Sequence, residues 1–339
     1  MSERSERTTD TAEPWLMPER SGGMSPTLEQ RVAARLRADL GVRLTSFERL
    51  PGGHSGLTFR AETSGEAYVV KAVPEGSKPI GRHDMLRQAR IMQVLAPTPV
   101  PVPRIAVVDS DEPAWFAMEL VAGESLEPVL DDPAVAADLA AARMRRAAQL
   151  LPALHAVDSA DISASALTPA EELARWARTL GAVPPELVSG GDRLLALLER
   201  RIPEPMTPGL VHGDYRLGNI ISAGSEPVAL IDWEIWSRGD PRVELGWFHV
   251  FADGSNFPGV GREVPGLPSA AELLDIYCAG GPVLAEQTWF DALGRLKMAA
   301  IMGHNLRRHR EGRHHDPDQE KLPATITRLI DTGTALLAG

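Results

Sequence analysis

The chain has 339 residues, a formal net charge of −11, 43% hydrophobic and 24% charged residues, and one cysteine, Cys278. Such a chain can bury a sizeable core, cannot form an intrachain disulfide, and has a balance of charge that argues against nonspecific nucleic-acid binding by the whole surface. No apolar run approaches the roughly 18 residues needed to span a bilayer, and the opening MSERSERTTDTAEPW lacks the apolar core of an export signal, so a cytoplasmic, membrane-free protein is expected.

Residues 1–24 are polar, mixed in charge and aperiodic, which predicts a disordered tail. A helix then opens at Pro26 or Thr27, with Leu28, Val32, Leu36 and Leu40 on one face and Gly41 as its stop. Between two expected strands lies a glycine-rich turn containing Gly52, Gly53, His54, Ser55 and Gly56. Glycines there let backbone N–H groups approach an anion. The turn matches neither G-x-G-x-x-G nor the P-loop pattern, and a G-x-S-x-G centred on Ser55 would need glycine where Leu57 stands. The next strand, residues 67–73, encloses one lysine, Lys71. A buried ammonium is costly without a partner, so Lys71 must reach water or an anion. A helix from about Arg82 to Leu95 follows, then an extended proline-rich linker over residues 96–103, then a strand from Trp115 that ends near Gly123.

From Asp132, read as a cap before Pro133, the pattern turns helical and runs through His155, a packed helix residue. Pro169 to Leu180, stopped by Gly181, and Asp192 to Arg201 are two further amphipathic helices. Two short apolar runs, residues 219–221 and 228–231, flank a polar turn and predict a hairpin. Gly239-Asp240-Pro241 then starts a helix with Glu244 in its first turn. The last distinctive stretch, His304 to His315, holds Arg307, Arg308, His309, Arg310 and Arg313, with Gly312 as the cap of a helix end. Cations suit a helix C-terminus; the cluster lacks the aromatics of a nucleic-acid surface, and His304 and His309 diverge too far around a helix to share zinc.

The hairpin concentrates the chemistry. Asp214 and Asn219 enclose four residues, and Asp232 follows the second strand. Mg²⁺ takes hard oxygens and keeps waters, so one carboxylate and one amide oxygen suffice beside nucleotide phosphates. A second carboxylate can then orient a hydroxyl and accept its proton. Either motif alone could be a turn or a strand end; the two in this order favour phosphoryl transfer.

His212-Gly213-Asp214 with Asn219, then Ile231-Asp232-Trp233-Glu234, then Gly239-Asp240-Pro241 resembles the aminoglycoside phosphotransferase (APH)-like family, also called the phosphotransferase enzyme family. The resemblance implies an α+β, bilobal protein-kinase-like fold, with a small β-rich N-lobe over residues 25–121 and a larger helical C-lobe over 122–339. It also implies an ATP- and Mg²⁺-dependent kinase acting on a small-molecule alcohol. Asp214 would be the base, Asn219 and Asp232 the metal ligands, Lys71 and the Gly52–Gly56 loop the phosphate grip, and backbone near Glu119 and Val121 the adenine contact. Asp240 would support the catalytic loop, and Glu244 stands where the family commonly has aspartate. Gln88 occupies the expected place of the acid that tethers the lysine, with Asp84 one turn earlier as a substitute. If the basic cluster lines the cleft, Arg307 and Arg308 would contact an anionic substrate. Asn305 to Arg310 with Asp316-Pro317 is similar to kinase-like domains associated with acyl-CoA dehydrogenases, which implies a hydroxyacyl or related anionic alcohol. The glutamine at 88 also supports a competing reading, a catalytically silent nucleotide-binding module that acts through partners.

Overall fold

The computed structural model describes residues 26–50, 56–131, 134–162, 165–279, 284–313 and 315–338. The calls on the tail, on Gly52 to Ser55 and on Asp132-Pro133 lie outside them. In chain order the elements are α1 (Leu28–Leu40), β1 (Leu44–Arg49), β2 (Leu57–Thr63), β3 (Tyr68–Ala72), α2 (Met85–Leu95), β4 (Ile105–Asp109), β5 (Trp115–Glu119), α3 (Ala137–His155), α4 (Pro169–Gly181) and α5 (Gly191–Arg200). They continue with β6 (Gly209–Val211), β7 (Ile220–Ala223), β8 (Glu226–Leu230), β9 (Ser237–Gly239), α6 (Pro241–Val250), α7 (Ala270–Cys278), α8 (Gln287–Arg310) and α9 (Pro323–Leu337).

The first helix forms as its sequence dictates. Thr27 accepts from the Gln30 N–H while Gln30 reaches back to Thr27, and Gly41 ends the helix at φ 70°. Its buried residues, Val32 and Leu36, pack with Tyr68, Val70, Ala72 and Trp115 on one face of an antiparallel sheet ordered β1-β2-β3-β5-β4. Because side chains alternate along a strand, Lys71 must point to the other face, where Val69, Phe116 and Met118 meet Met85, Ala89 and Met92 of α2. Two-residue periodicity thus aims the lysine away from α1 and toward the rest of the molecule.

The helix expected from about Arg82 begins later, at Met85, after a 3₁₀ turn over Gly81–His83, because Asp84 caps it by accepting from the Arg87 N–H. The alanine-rich helix likewise starts at Ala137, without a side-chain cap. The proline-rich linker is non-helical, and its Pro101 carbonyl accepts from the Leu230 N–H of the hairpin at 2.8 Å. Glu124 and Ser222 exchange backbone bonds at 2.8 and 3.0 Å, so the segment after β5 adds a short third rung to the same hairpin.

The helical part is built on α6 and α8. They cross so closely at Gly246 and Gly294 that a Cβ on either would collide with the other helix's backbone carbonyl. Around them a continuous apolar core holds Tyr215, Trp233, Trp236, Phe248 and Phe290, all fully buried. No helix among the described residues is long and apolar enough to cross a membrane.

Candidate active site

The loop between β6 and β7 is held by its backbone. Gly213 has φ 88°, and a Cβ there would lie 2.7 Å from the Ile235 carbonyl oxygen, so this position requires glycine. Glu244, wholly buried on α6, accepts from the Gly213 N–H at 3.0 Å and from the His212 N–H. From the other side the buried Lys297 of α8 donates to the Gly213 carbonyl. Burial pushes the Glu244 carboxyl up to about 7, against the pull of Lys297 and the loop N–H groups. Burial likewise pushes the Lys297 ammonium down, against the pull of Glu172, Asp214 and Glu244. The expectation that Asp240 supports the loop is corrected: its carboxylate caps α6 and binds Arg242 and the Met206 N–H, and the loop's support is Glu244.

His212 fixes the loop's inner edge. Nε2 lies 2.9 Å from the Ile231 carbonyl, and Nδ1 accepts from the Asp214 N–H at 3.2 Å. That pattern requires one protonated ring nitrogen and one bare one, and burial agrees by pushing the imidazole down to about 4. The ring therefore couples Asp214 to the end of β8, where Asp232 follows.

Both oxygens of Asp214 have fixed donors. Asn219 Nδ2 bonds Oδ2 and the Asp214 carbonyl, each at 2.8 Å, while Trp247 Nε1 donates to Oδ1 at 3.1 Å. Arg216 stands 3.5 Å from the same Oδ1. Its guanidinium, though burial opposes its charge, is held above its ordinary value by Asp214, Glu127, Asp131 and Asp232. Beneath it Glu127 is wholly buried, accepts from the Gly218 N–H at 3.3 Å, and is pushed up to about 8 by burial.

Asp232 adopts φ 68°, a left-handed conformation rare for a side-chain-bearing residue. Lys71 Nζ reaches its Oδ1 at 2.8 Å, joining residues 161 apart in sequence. Burial would raise this carboxyl, but Lys71, His212 and Arg216 together hold it below the usual range. Of the residues singled out from the sequence, the structure therefore gathers Asp214, Asn219, Asp232 and Lys71 into one bonded and electrostatically linked group. Asn219 bonds here through Nδ2 and Asp232 meets Lys71 through Oδ1, so the Asn219 amide oxygen and Asp232 Oδ2 are the atoms that could meet a cation. These are hard oxygens suited to Mg²⁺. Among the described residues no group of three or more His, Cys, Asp or Glu side chains could hold a metal by itself.

The remaining predicted residues sit further out. Gln88 is buried on α2, whereas Asp84 is occupied as that helix's cap. Gly56 packs against α2, where a Cβ would meet Met85 at 2.7 Å. The Glu119 carboxylate accepts from the Arg104 N–H at 3.1 Å, the Leu120 N–H donates to the Ala67 carbonyl at 3.1 Å, and Val121 is half-buried just beyond. Arg307 and Arg308 are not brought to this group: they lie a further ten or eleven residues along α8 from Lys297, about 15 Å of helix rise. The Arg307 side chain donates to the Ala182 carbonyl and pairs with Glu311, and the backbone carbonyl of Arg308 accepts from the Arg313 N–H in the helix-ending motif at Gly312. Sequence reasoning missed Lys297, Trp247, Arg216 and Glu127. A lone lysine in the apolar run 296–302 carried the same signal as Lys71, and Trp247 lies one turn beyond Glu244 on α6.

Residues 46–280 match the profile of the phosphotransferase enzyme family. Acyl-CoA dehydrogenase family member 11 of Mus musculus is 26% identical over 309 residues, which cover 84% of this chain and 39% of that protein. The chain thus spans about two fifths of the length of the curated relatives it matches. A Ralstonia eutropha protein, provisionally named an aminoglycoside phosphotransferase, superposes with a TM-score of 0.75 at 23% identity, covering 91% of this chain and 98% of its own. Spectinomycin phosphotransferase APH(9)-Ia, solved with ADP and spectinomycin, superposes with a TM-score of 0.63 at 12% identity over 91% of this chain and 98% of its own. At these identities the two structures establish the kinase-like fold.

Proposed function

Because the chain belongs to the phosphotransferase enzyme family, we propose that it is an ATP-dependent kinase that phosphorylates a hydroxyl of a small molecule. The observation that carries the reading is the joined pair of contacts Asn219–Asp214 and Lys71–Asp232, each at 2.8 Å. Asp214 orients the acceptor hydroxyl and takes its proton as the hydroxyl oxygen bonds to the γ-phosphorus. The bond from that phosphorus to the β,γ-bridging oxygen breaks, and ADP leaves with the negative charge. Trp247 and Asn219 hold the two Asp214 oxygens in place for this role. Asn219 and Asp232 would hold Mg²⁺, which would supply neutralisation of phosphate charge when bound. Lys71 and the Gly52–Gly56 loop grip the phosphates, and backbone near Glu119 and Val121 receives the adenine. Arg216 lies within electrostatic reach of both Asp214 and Asp232 and offsets part of the local negative charge.

The test is a metabolite extract incubated with Mg-ATP and followed by mass spectrometry. A phosphate-sized mass gain is expected with the wild type, and Asp214→Asn is expected to lower it by about 10²–10⁴-fold while Mg-ATP still binds. Nucleotide binding with no transfer to any alcohol would instead favour the silent module.

A further inference from the structure

Between β5 and α3 the chain passes against the turn that separates Asp214 from Asn219. Its residues 127–131 close on themselves: the Glu127 N–H donates to the Asp131 carboxylate at 2.7 Å, and the Glu127 carbonyl accepts from the Leu130 and Asp131 N–H groups at 3.0 and 2.8 Å. The Glu127 carboxyl, wholly buried, is thereby carried to the Gly218 N–H, which donates to Oε2 at 3.3 Å, while Oε1 has no partner among the described residues. An apolar side chain would fill such a place at less cost than a carboxyl with one oxygen unbonded. What the carboxyl supplies, and an apolar group could not, is an acceptor for the turn that carries Asn219.

Gly218 serves the same turn by what it lacks. A Cβ on it would fall 2.0 Å from Arg216 Nη1 and 2.9 Å from Cζ, so the guanidinium occupies the space that a side chain at this position would take. Gly218 is not among the glycines with positive φ, so the bare Cα is needed for room and not for the backbone. Folded back in this way, Arg216 brings Nε to 3.5 Å from Asp214 Oδ1, the oxygen that also accepts from Trp247 Nε1, and Nη1 to 4.0 Å from Glu127 Oε2. At those separations neither contact is strong by itself. The guanidinium is kept beside Asp214 by the room at Gly218 and by the buried carboxyl that holds the turn.

We propose that Arg216 is a positioning residue for Asp214, seated by the missing side chain of Gly218 and by Glu127, so that the segment leaving β5 sets the orientation of the Asp214 carboxylate. Calling Asp214 a base rests on the kinase reading above; the seating of Arg216 against it does not. The arrangement is the counterpart of Glu244 and Lys297 at Gly213: those two fix the loop before Asp214, and Glu127 fixes the turn after it.

Three variants of the full chain test the seating. Gly218→Ala displaces the guanidinium, the far end of a flexible side chain, and keeps the N–H that Glu127 accepts; Glu127→Met removes the acceptor and keeps Arg216; Arg216→Gln removes the cation. The first readout needs no turnover. In NMR of protein with isotope-labelled indole nitrogens, the Trp247 Nε1–H reports on the Asp214 oxygen that Arg216 faces, and Trp247→Phe assigns it among the seven tryptophans. All three variants are expected to shift that resonance with Mg-ATP binding retained, and Glu127→Gln, which keeps an acceptor, to shift it less than Glu127→Met. A resonance that moves with Arg216→Gln alone, or with none of the three, would overturn the seating whether or not the protein is a kinase. The second readout is phosphate transfer to a metabolite extract at fixed concentration, with Mg-ATP varied. Each variant is expected to lower the apparent kcat by up to about 10²-fold with KM for Mg-ATP unchanged. Glu127→Gln should recover part of the Glu127→Met loss, and Gly218→Ala combined with Arg216→Gln should lose no more than Arg216→Gln alone. Losses that multiply in the double variant, a raised KM at unchanged kcat, or full turnover in all three variants would overturn the proposal. Shifted resonances without transfer by the wild type would keep the seating and overturn the kinase.

Discussion

Glycine 213 is the residue on which the site's geometry turns. Its N–H is fixed by Glu244 and its carbonyl by Lys297, so a carboxylate and an ammonium from two different helices clamp one peptide from both sides. Neither charge is worth much alone in a buried setting; each is tolerable because the loop and the opposite charge are present. Lys297→Met keeps the packing against Trp247, which the ammonium now meets at 3.9 Å, but strands Glu244. The expected cost is about 3 kcal/mol of stability by denaturant unfolding, together with lost turnover. Adding Glu244→Gln should return part of the stability and none of the turnover. Equal stability of the single and double variants would show that the two side chains act independently.

At the scale of elements, the crossing of α6 over α8 sets the distance between Glu244 and Trp247 on one helix and Lys297 on the other. Gly246 and Gly294 allow that approach because each lacks the Cβ that would strike the facing backbone. Gly294→Ala is expected to destabilise by about 2 kcal/mol through overpacking, read as a lowered Tm. Since the displaced helices carry the clamp, phosphate transfer should fall as well. The hairpin of β7 and β8 plays a different part. Its strands bond to the proline-rich linker at Pro101 and to Glu124, so it links the small sheet's connections to Asn219 and Asp232 at its two ends.

Over the whole molecule, four buried titratable groups shape the dependence of stability on pH. Burial pushes His212 down to about 4 and His155 down to about 3, from 6.5. Below 6.5 the unfolded chain binds these protons first, so stability falls as pH drops through that window. Burial pushes Glu244 up to about 7 and Glu127 up to about 8, from 4.5. Above 4.5 the folded state keeps protons that the unfolded chain has released, so stability falls as pH rises toward those values. The opposing trends place the highest Tm at about pH 5–6.5, with a decline on either side. Glu127→Gln should flatten the alkaline limb in a buffer-matched thermal scan; an unchanged limb would mean that Glu127 does not hold its proton.

What the sequence by itself determined was everything carried by local periodicity and spacing. The cap at Thr27, the stop at Gly41, the alternation that turns Lys71 away from α1, and the hairpin with Asp214, Asn219 and Asp232 at its ends all follow from neighbouring residues. The helix start was read too early near Arg82, because a cap is chosen among competing polar residues by the packing of the turn that follows, and Asp84 won. Only the tertiary structure decided what lies within bonding distance of a given charge. Lys71 meets Asp232, Glu244 and Lys297 clamp Gly213, and Asp240 serves α6 rather than the loop. The basic end of α8 is turned to a helix terminus and nearby acids. The reason is physical: a buried charge must find its counterpart through space, and distance in space is not encoded by distance along the chain.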